Sequence, residues 1–203
     1  MSEFTTNDAN AAVLLDLYGL DITTSKKVTV TTPDKPKPKT PKGTVLVEGS
    51  KANDKVTAFG SFDYAIEGRG GDDKLRGGKQ DDTIVGGAGK DVAIGGKGKD
   101  IFEFSNGDLV ESNRAKKLDT IKDLGKGDLI RLDKKIVDKN LKAGALDPDD
   151  LAVVKKNSSK IDATLIFVKS EGVLYYNDDE KTKDTKLVNI DGVNPQADNF
   201  EIF

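Results

Sequence analysis

At 203 residues, with 35% hydrophobic and 33% charged side chains, the chain suits a thin solenoid with a small cap better than a large compact core. It has no His, Cys or Trp, which excludes imidazole-based triads, cysteine nucleophiles, His/Cys zinc sites, the H-E-x-x-H metalloprotease motif and disulfides. Net charge is −3 with both signs abundant, and neither a nucleic-acid partner nor a membrane span is expected.

The first basic residue is Lys26, so residues 1–20 lack the positive start of an N-terminal signal, and the apolar run Ala11–Leu15 is too short to cross a membrane. The chain is therefore expected to stay in the cytoplasm or to leave by a route without such a signal. Asn7–Tyr18 reads as a helix, capped by Thr6 or Asn7 and ended by Gly19. Its apolar residues are dense enough that it should dock on the body or on a partner. Val28–Thr32 is β-branched and extended, and Pro33–Pro41 (PDKPKPKTP) is a stiff spacer. Residues 26–42 carry six lysines against Asp34; this basic tract reads as a solvated linker. The first units are thus an N-terminal segment with a short helix, 1–32, and a Pro/Lys linker, 33–42.

From Gly49 to Glu103 the chain repeats with a period of nine. The strongest copies are GRGGDDKLR (68–76), GGKQDDTIV (77–85), GGAGKDVAI (86–94) and GGKGKDIFE (95–103). GSKANDKVT (49–57) keeps Asp54 and Val56, AFGSFDYAI (58–66) keeps Asp63, and Glu67 is read as one inserted residue. Six residues of each copy turn, and three form a short strand whose eighth side chain points inward: Leu75, Ile84, Ala93 and Phe102 in the strong copies. Glycine supplies the left-handed angles of the turns, and turns leave carbonyls needing partners. A hard cation satisfies those carbonyls, with aspartate supplying charge. Oxygen-only donors on flexible loops favour calcium over magnesium. Two copies make one coil, so Asp73 stacks with Asp91 and Asp82 with Asp100. Carboxylates that close disfavour folding until neutralised, and the solenoid is expected to fold on binding calcium.

After Phe104 the repeat ends. Leu118–Leu124, Asp128–Leu132, Ala163–Lys169 and Val173–Asn177 read as strands, Ser170-Glu171-Gly172 as a hairpin turn, and Asp147 as the cap of a helix opening at Pro148. Residues 43–104 are therefore the repeat unit and 105–203 a mixed, mainly β cap.

The repeat resembles the RTX (repeats-in-toxin, hemolysin-type) calcium-binding family, with its pattern G-G-x-G-x-D-x-U-x. The resemblance implies a mainly β fold, a right-handed parallel β-roll with a C-terminal cap. It implies calcium held between a turn and the turn 18 residues later. One such site would use the Arg69 and Gly71 carbonyls with Asp73, and the Gly86 and Ala88 carbonyls with Asp91. The next would use the Gly78 and Gln80 carbonyls with Asp82, and the Gly95 and Lys97 carbonyls with Asp100. Asp54 with Asp73, and Asp63 with Asp82, would form weaker sites, because the insertion makes those spacings 19. Asp119, Asp123 and Asp128 would close a further site at the cap. LDTIKDLGKGDLIRL (118–132), GVLYYND (172–178) and DNFEIF (198–203) resemble the caps of secreted bacterial proteins, and the last also resembles an uncleaved type I secretion signal. The type I machinery is then a partner and the location extracellular.

One departure is the charge of residues 68–104, seven basic against seven acidic. Lys90 and Lys99 stand at position five, where asparagine is common in the family. They read as surface charge, or as a face offered to an acidic polymer. The chain is expected to be a non-enzymatic structural or binding module, acting at a cell surface or on an acidic extracellular polysaccharide, or assisting a carbohydrate-active enzyme. No catalytic domain fits in residues 1–42, no long apolar helix of a pore former is present, and Asp149-Asp150 and Asp178-Asp179-Glu180 read as a helix start and a polar loop.

Overall fold

A three-residue strand that ends in a six-residue turn finds its parallel partner one full coil later. The computed structural model shows that pairing. It describes residues 2–5, 18–23, 28–32, 43–105, 118–137, 141–156, 161–177 and 185–203. The helix expected over Asn7–Tyr18 (Tyr18 apart), the 33–41 spacer and Asp178–Glu180 lie outside the described residues.

Three short strands open the chain: β1 (Ser2–Thr5), β2 (Leu20–Thr23) and β3 (Thr29–Thr32). The repeat then supplies β4 (Thr44–Glu48), β5 (Lys55–Ala58), β6 (Asp63–Glu67), β7 (Lys74–Arg76), β8 (Thr83–Val85), β9 (Val92–Ile94) and β10 (Ile101–Phe104). Beyond it come β11 (Thr120–Ile121), β12 (Leu129–Leu132), β13 (Gly144–Ala145), β14 (Leu151–Val154), β15 (Leu165–Val168), β16 (Val173–Tyr176), β17 (Thr185–Ile190) and β18 (Phe200–Ile202). The described strands form two nine-stranded sheets, ordered β1-β3-β4-β6-β8-β10-β12-β18-β13 and β14-β15-β16-β17-β11-β9-β7-β5-β2. From β4 to β12 successive strands alternate between the sheets and every neighbour pair is parallel. The molecule is mainly β, with the parallel two-sheet stacking of a β-roll.

The ladder runs on where the nonapeptides end. Thr120 pairs with Val92, and Leu129 with Ile101. A further layer follows, with Asn189 opposite Thr120 and Phe200 opposite Ile130. The intervening chain adds β14, β15 and β16 to one edge, where Ile166, Val168, Val173 and Tyr175 form a small second core. The β15–β16 hairpin closes at Gly172, whose N–H donates to the Val168 carbonyl at 2.9 Å. The helix expected at Pro148 is a single 3-10 turn, Pro148–Asp150, with the Asp147 side chain accepting from Asp149 N–H as its cap. At the other end β3 covers β4, and β2 covers β5, both antiparallel. Reversed strands of this kind blunt the open end of a solenoid.

Strand side chains alternate, so every second residue enters the space between the sheets. Val47, Ile66, Ile84, Phe102, Ile130 and Phe200 line one wall, and Val56, Leu75, Ile121 and Ile190 the other; all are buried. Each such Leu, Ile or Phe contributes roughly 1.5–3 kcal/mol. Ala93 is the small member of the series. It is only partly buried and leaves a cavity lined by Ile84, Phe102, Phe104 and Ile121 as well as itself. Ala93→Val should therefore raise the melting temperature of the calcium-bound protein by a few degrees, on the order of 1 kcal/mol. A lowered melting temperature would mean that the walls cannot take the added methyls.

Candidate metal centre

The turns between the two sheets lie on two edges. The first edge carries turns 49–54, 68–73 and 86–91, and the second carries turns 77–82, 95–100 and 122–128. A short aspartate side chain at the end of a turn reaches the backbone of the coil before it. On the first edge Asp54 N–H donates to Asp73 Oδ1 (2.7 Å), Asp73 N–H to Asp91 Oδ1 (2.7 Å) and Asp91 N–H to Asp119 Oδ1 (2.8 Å). On the second, Tyr64 N–H donates to Asp82 Oδ1 (2.7 Å), Asp82 N–H to Asp100 Oδ1 (2.9 Å) and Asp100 N–H to Asp128 Oδ1 (3.0 Å). The result is two parallel aspartate ladders, with Asp54, Asp73, Asp82, Asp91, Asp100, Asp119 and Asp128 all buried.

Buried carboxylates require a compensating charge. Among the described residues no lysine or arginine pairs with Asp73, Asp82 or Asp100. Burial pushes Asp73 up to about 7, against the lowering effect of the Asp54 N–H, and its neighbours Asp91, Asp54 and Asp72 raise it further. Burial likewise carries Asp82 to about 6 and Asp100 to about 7. Asp73 Oδ2 is buried without a hydrogen-bond partner.

The turns are also packed for glycine alone. A β-carbon at Gly68 would collide with the Asp73 carboxylate and the Gly86 carbonyl, and one at Gly77 with Asp82 and the Gly95 carbonyl. Oxygen atoms therefore converge in the gaps between successive turns. No group of three carboxylates among the described residues could hold a metal on its own, so backbone carbonyls must complete any coordination shell. An all-oxygen set of this kind fits calcium.

Residues 66–108 match the family model of the RTX calcium-binding nonapeptide repeat, in four copies. This segment is an RTX calcium-binding repeat. The RTX segment binds Ca2+. Comparison of the chain with curated proteins and with solved structures gave no significant match.

The structure brings the expected ligand residues of the RTX segment together edge by edge. Arg69, Gly71, Asp73, Gly86, Ala88 and Asp91 occupy adjoining turns of the first edge. There the Arg69 carbonyl accepts from Ala88 N–H (3.0 Å) and the Ala88 carbonyl from Gly71 N–H (2.9 Å). Gly78, Gln80, Asp82, Gly95, Lys97 and Asp100 occupy adjoining turns of the second, where the Gly78 carbonyl accepts from Lys97 N–H (3.2 Å). A carbonyl that accepts one hydrogen bond keeps a second lone pair for a cation. Arg69 stands where the other strong copies have glycine, and its backbone is left-handed (φ 74°). Its guanidinium lies 3.0 Å from Glu48.

Asp54 joins the first ladder despite its 19-residue offset from Asp73. Asp63 does not join the second, so its expected pairing with Asp82 is corrected. It is exposed and lies opposite Thr44, and Tyr64 takes the rung below Asp82. The reason is the place of the extra residue. Thr57 pairs with Arg76 at an offset of 19, and Ala65 with Thr83 at 18. The insertion therefore falls between Thr57 and Ala65 rather than at Glu67.

Asp119 and Asp128 are rungs of the ladders, 28 residues beyond Asp91 and Asp100. Asp123 accepts from the Gly95 and Gly96 N–H groups at 2.8 and 2.9 Å. The signal for the first of these rungs is a shared tripeptide, since Asp119-Thr120-Ile121 repeats Asp82-Thr83-Ile84.

Proposed function

We propose that this chain is an exported, non-enzymatic module whose roll folds when calcium enters the two turn edges outside the cell. The observation that carries the reading is the pair of buried aspartate ladders with, among the described residues, no lysine or arginine paired with Asp73, Asp82 or Asp100. One ion would be held by Asp73 and Asp91 with the Arg69, Gly71, Gly86 and Ala88 carbonyls. A second would be held by Asp82 and Asp100 with the Gly78, Gln80, Gly95 and Lys97 carbonyls. The Asp54–Asp73 interval offers a weaker place. Calcium supplies the positive charge that lets these carboxylates stay ionised inside the fold.

The proposal takes 1–32, 33–42, 43–104 and 105–203 as its sequence units, the last carrying the proposed type I secretion signal. Within the last unit, Asp149 and Asp150 support the non-enzymatic reading. Asp149 belongs to a capped turn, and Asp150 Oδ1 accepts from the Thr164 hydroxyl at 3.0 Å. In low cytosolic calcium the chain would stay unfolded and pass an exporter as a flexible strand.

The test is export from a bacterium carrying a type I system. The full chain should reach the medium, and a chain lacking residues 198–203 should stay in the cell at undiminished abundance. Equal secretion of the two would reject the export reading.

A further inference from the structure

We propose that the second edge of the roll, once loaded with calcium, is a docking surface for a linear acidic polysaccharide. This rests on the calcium reading above and adds a partner to it. Both edges share one backbone plan and carry exposed lysines, but the second carries four without an ion pair against Lys51 and Lys90 on the described turns of the first. Lys79 lies on turn 77–82, Lys97 and Lys99 on turn 95–100, and Lys126 on turn 122–128; all four are exposed. None forms an ion pair among the described residues. On the first edge the arginine is held by Glu48 and Glu67.

The lysines form a row because their turns stack. Lys97 N–H donates to the Gly78 carbonyl, and Lys99 N–H to Asp81 Oδ1 at 2.7 Å. The Lys99 stem then lies over the next turn, its Cγ 3.3 Å from where a β-carbon on Gly127 would stand. Neighbouring coils are about 4.8 Å apart, so the row presents a cationic rung at roughly that interval. These three turns carry five lysines and five aspartates. They are neutral without metal, and each divalent ion they hold leaves them two charges more positive. Like charges on adjacent strands repel, and a polyanion laid along the edge would relieve that repulsion.

The chemistry favours a polysaccharide. Lysine is a point charge that suits carboxylates along a flexible polymer, and these turns carry no arginine for bidentate contacts. Single-stranded nucleic acid calls for aromatic rings at successive bases. A membrane surface calls for a broad apolar band beside the lysines. The exposed apolar residues on this edge are Phe59, half exposed on the turn before Lys79, and Val193 on the turn after Lys126. They stand four coils apart, roughly 19 Å at the strand spacing, and make no patch. A lone ring at the end of a lysine row suits the apolar face of a sugar.

Fluorescence anisotropy with labelled hyaluronan oligosaccharides, in millimolar calcium and in metal-stripped buffer, tests the proposal. Circular dichroism on the same samples reports the fold. The protein should bind only with calcium. A K79Q/K99Q/K126Q variant should fold at the same calcium concentration and bind at least tenfold more weakly, while K51Q/K90Q on the first edge should bind like the parent. Normal calcium-induced folding without hyaluronan binding overturns the proposal and leaves the calcium reading intact. So does undiminished binding by the triple variant, or binding to phosphatidylserine vesicles or oligo-dT but not to hyaluronan. Absence of any calcium-induced folding rejects both.

Discussion

Stripped of metal at neutral pH, this protein should lose most of its β-sheet circular dichroism and regain it in millimolar calcium. Two ladders of buried carboxylates run through the fold, and Asp73 Oδ2 is buried without a hydrogen-bond partner. Folding in the absence of a cation therefore places negative charges close together in a region shielded from water, while the unfolded chain keeps them hydrated. A single substitution separates this account from a merely fragile fold. Asp73→Asn keeps the size of the side chain and removes its charge. With calcium it should raise the half-saturating concentration by no less than the roughly tenfold to hundredfold that losing an outer-shell partner costs. Without calcium it should make the protein more structured than its parent, because the uncompensated charge has gone. Loss of structure under both conditions would show that Asp73 acts as a spacer, and an unchanged sheet signal in the stripped parent would end the calcium-folding account.

Acid should substitute in part for the metal. Asp73, Asp82 and Asp100 are raised to about 7, 6 and 7 from an ordinary 3.8, burial being the largest cause in each. Between the ordinary value and these raised ones, the folded state binds protons that the unfolded state does not. Stability contributed by such groups is fully present below the ordinary value and is lost as pH rises through the folded one. The metal-stripped protein should therefore gain sheet signal as pH falls from about 8 to 5, the reverse of common acid denaturation, with little further gain from these groups below 4. In the presence of calcium the same protons compete with the ion, and the half-saturating calcium concentration should climb over the same interval. A stripped protein whose signal stays flat or falls between pH 7 and 5 would show that the ladder charges do not oppose folding.

Much of this arrangement is legible in the residues. Aspartate two places before an apolar residue marks both the end of a turn and the inward side chain of the following strand. Four copies in register place Leu75, Ile84 and Phe102 in the core and Asp73, Asp82, Asp91 and Asp100 on the ladders. The reading weakens where the period breaks. Asp63 has the right residue type, but the extra residue between Thr57 and Ala65 moves Tyr64 into its place. The rungs at Asp119 and Asp128 follow a spacing of 28, so a period of nine does not find them. Strand β13, of two residues, is too short to carry an alternation of its own. The places of β17 and β18 depend on pairing across a long intervening segment, and no local pattern encodes that.

That last pairing affects how the chain can be handled in a cell. Phe200 and Ile202 fill the same sheet as Ile130 and Leu132, some seventy residues earlier. Until residues 185–202 are available, β11 and β12 present open parallel edges above an unfinished interior, and such edges recruit other chains. A partly made or proteolytically shortened molecule in the presence of calcium would thus be a nucleus for aggregation. If folding waits for calcium as proposed, withholding the metal until residues 185–202 are present would guard against that outcome, because the roll would then close with that layer already in reach.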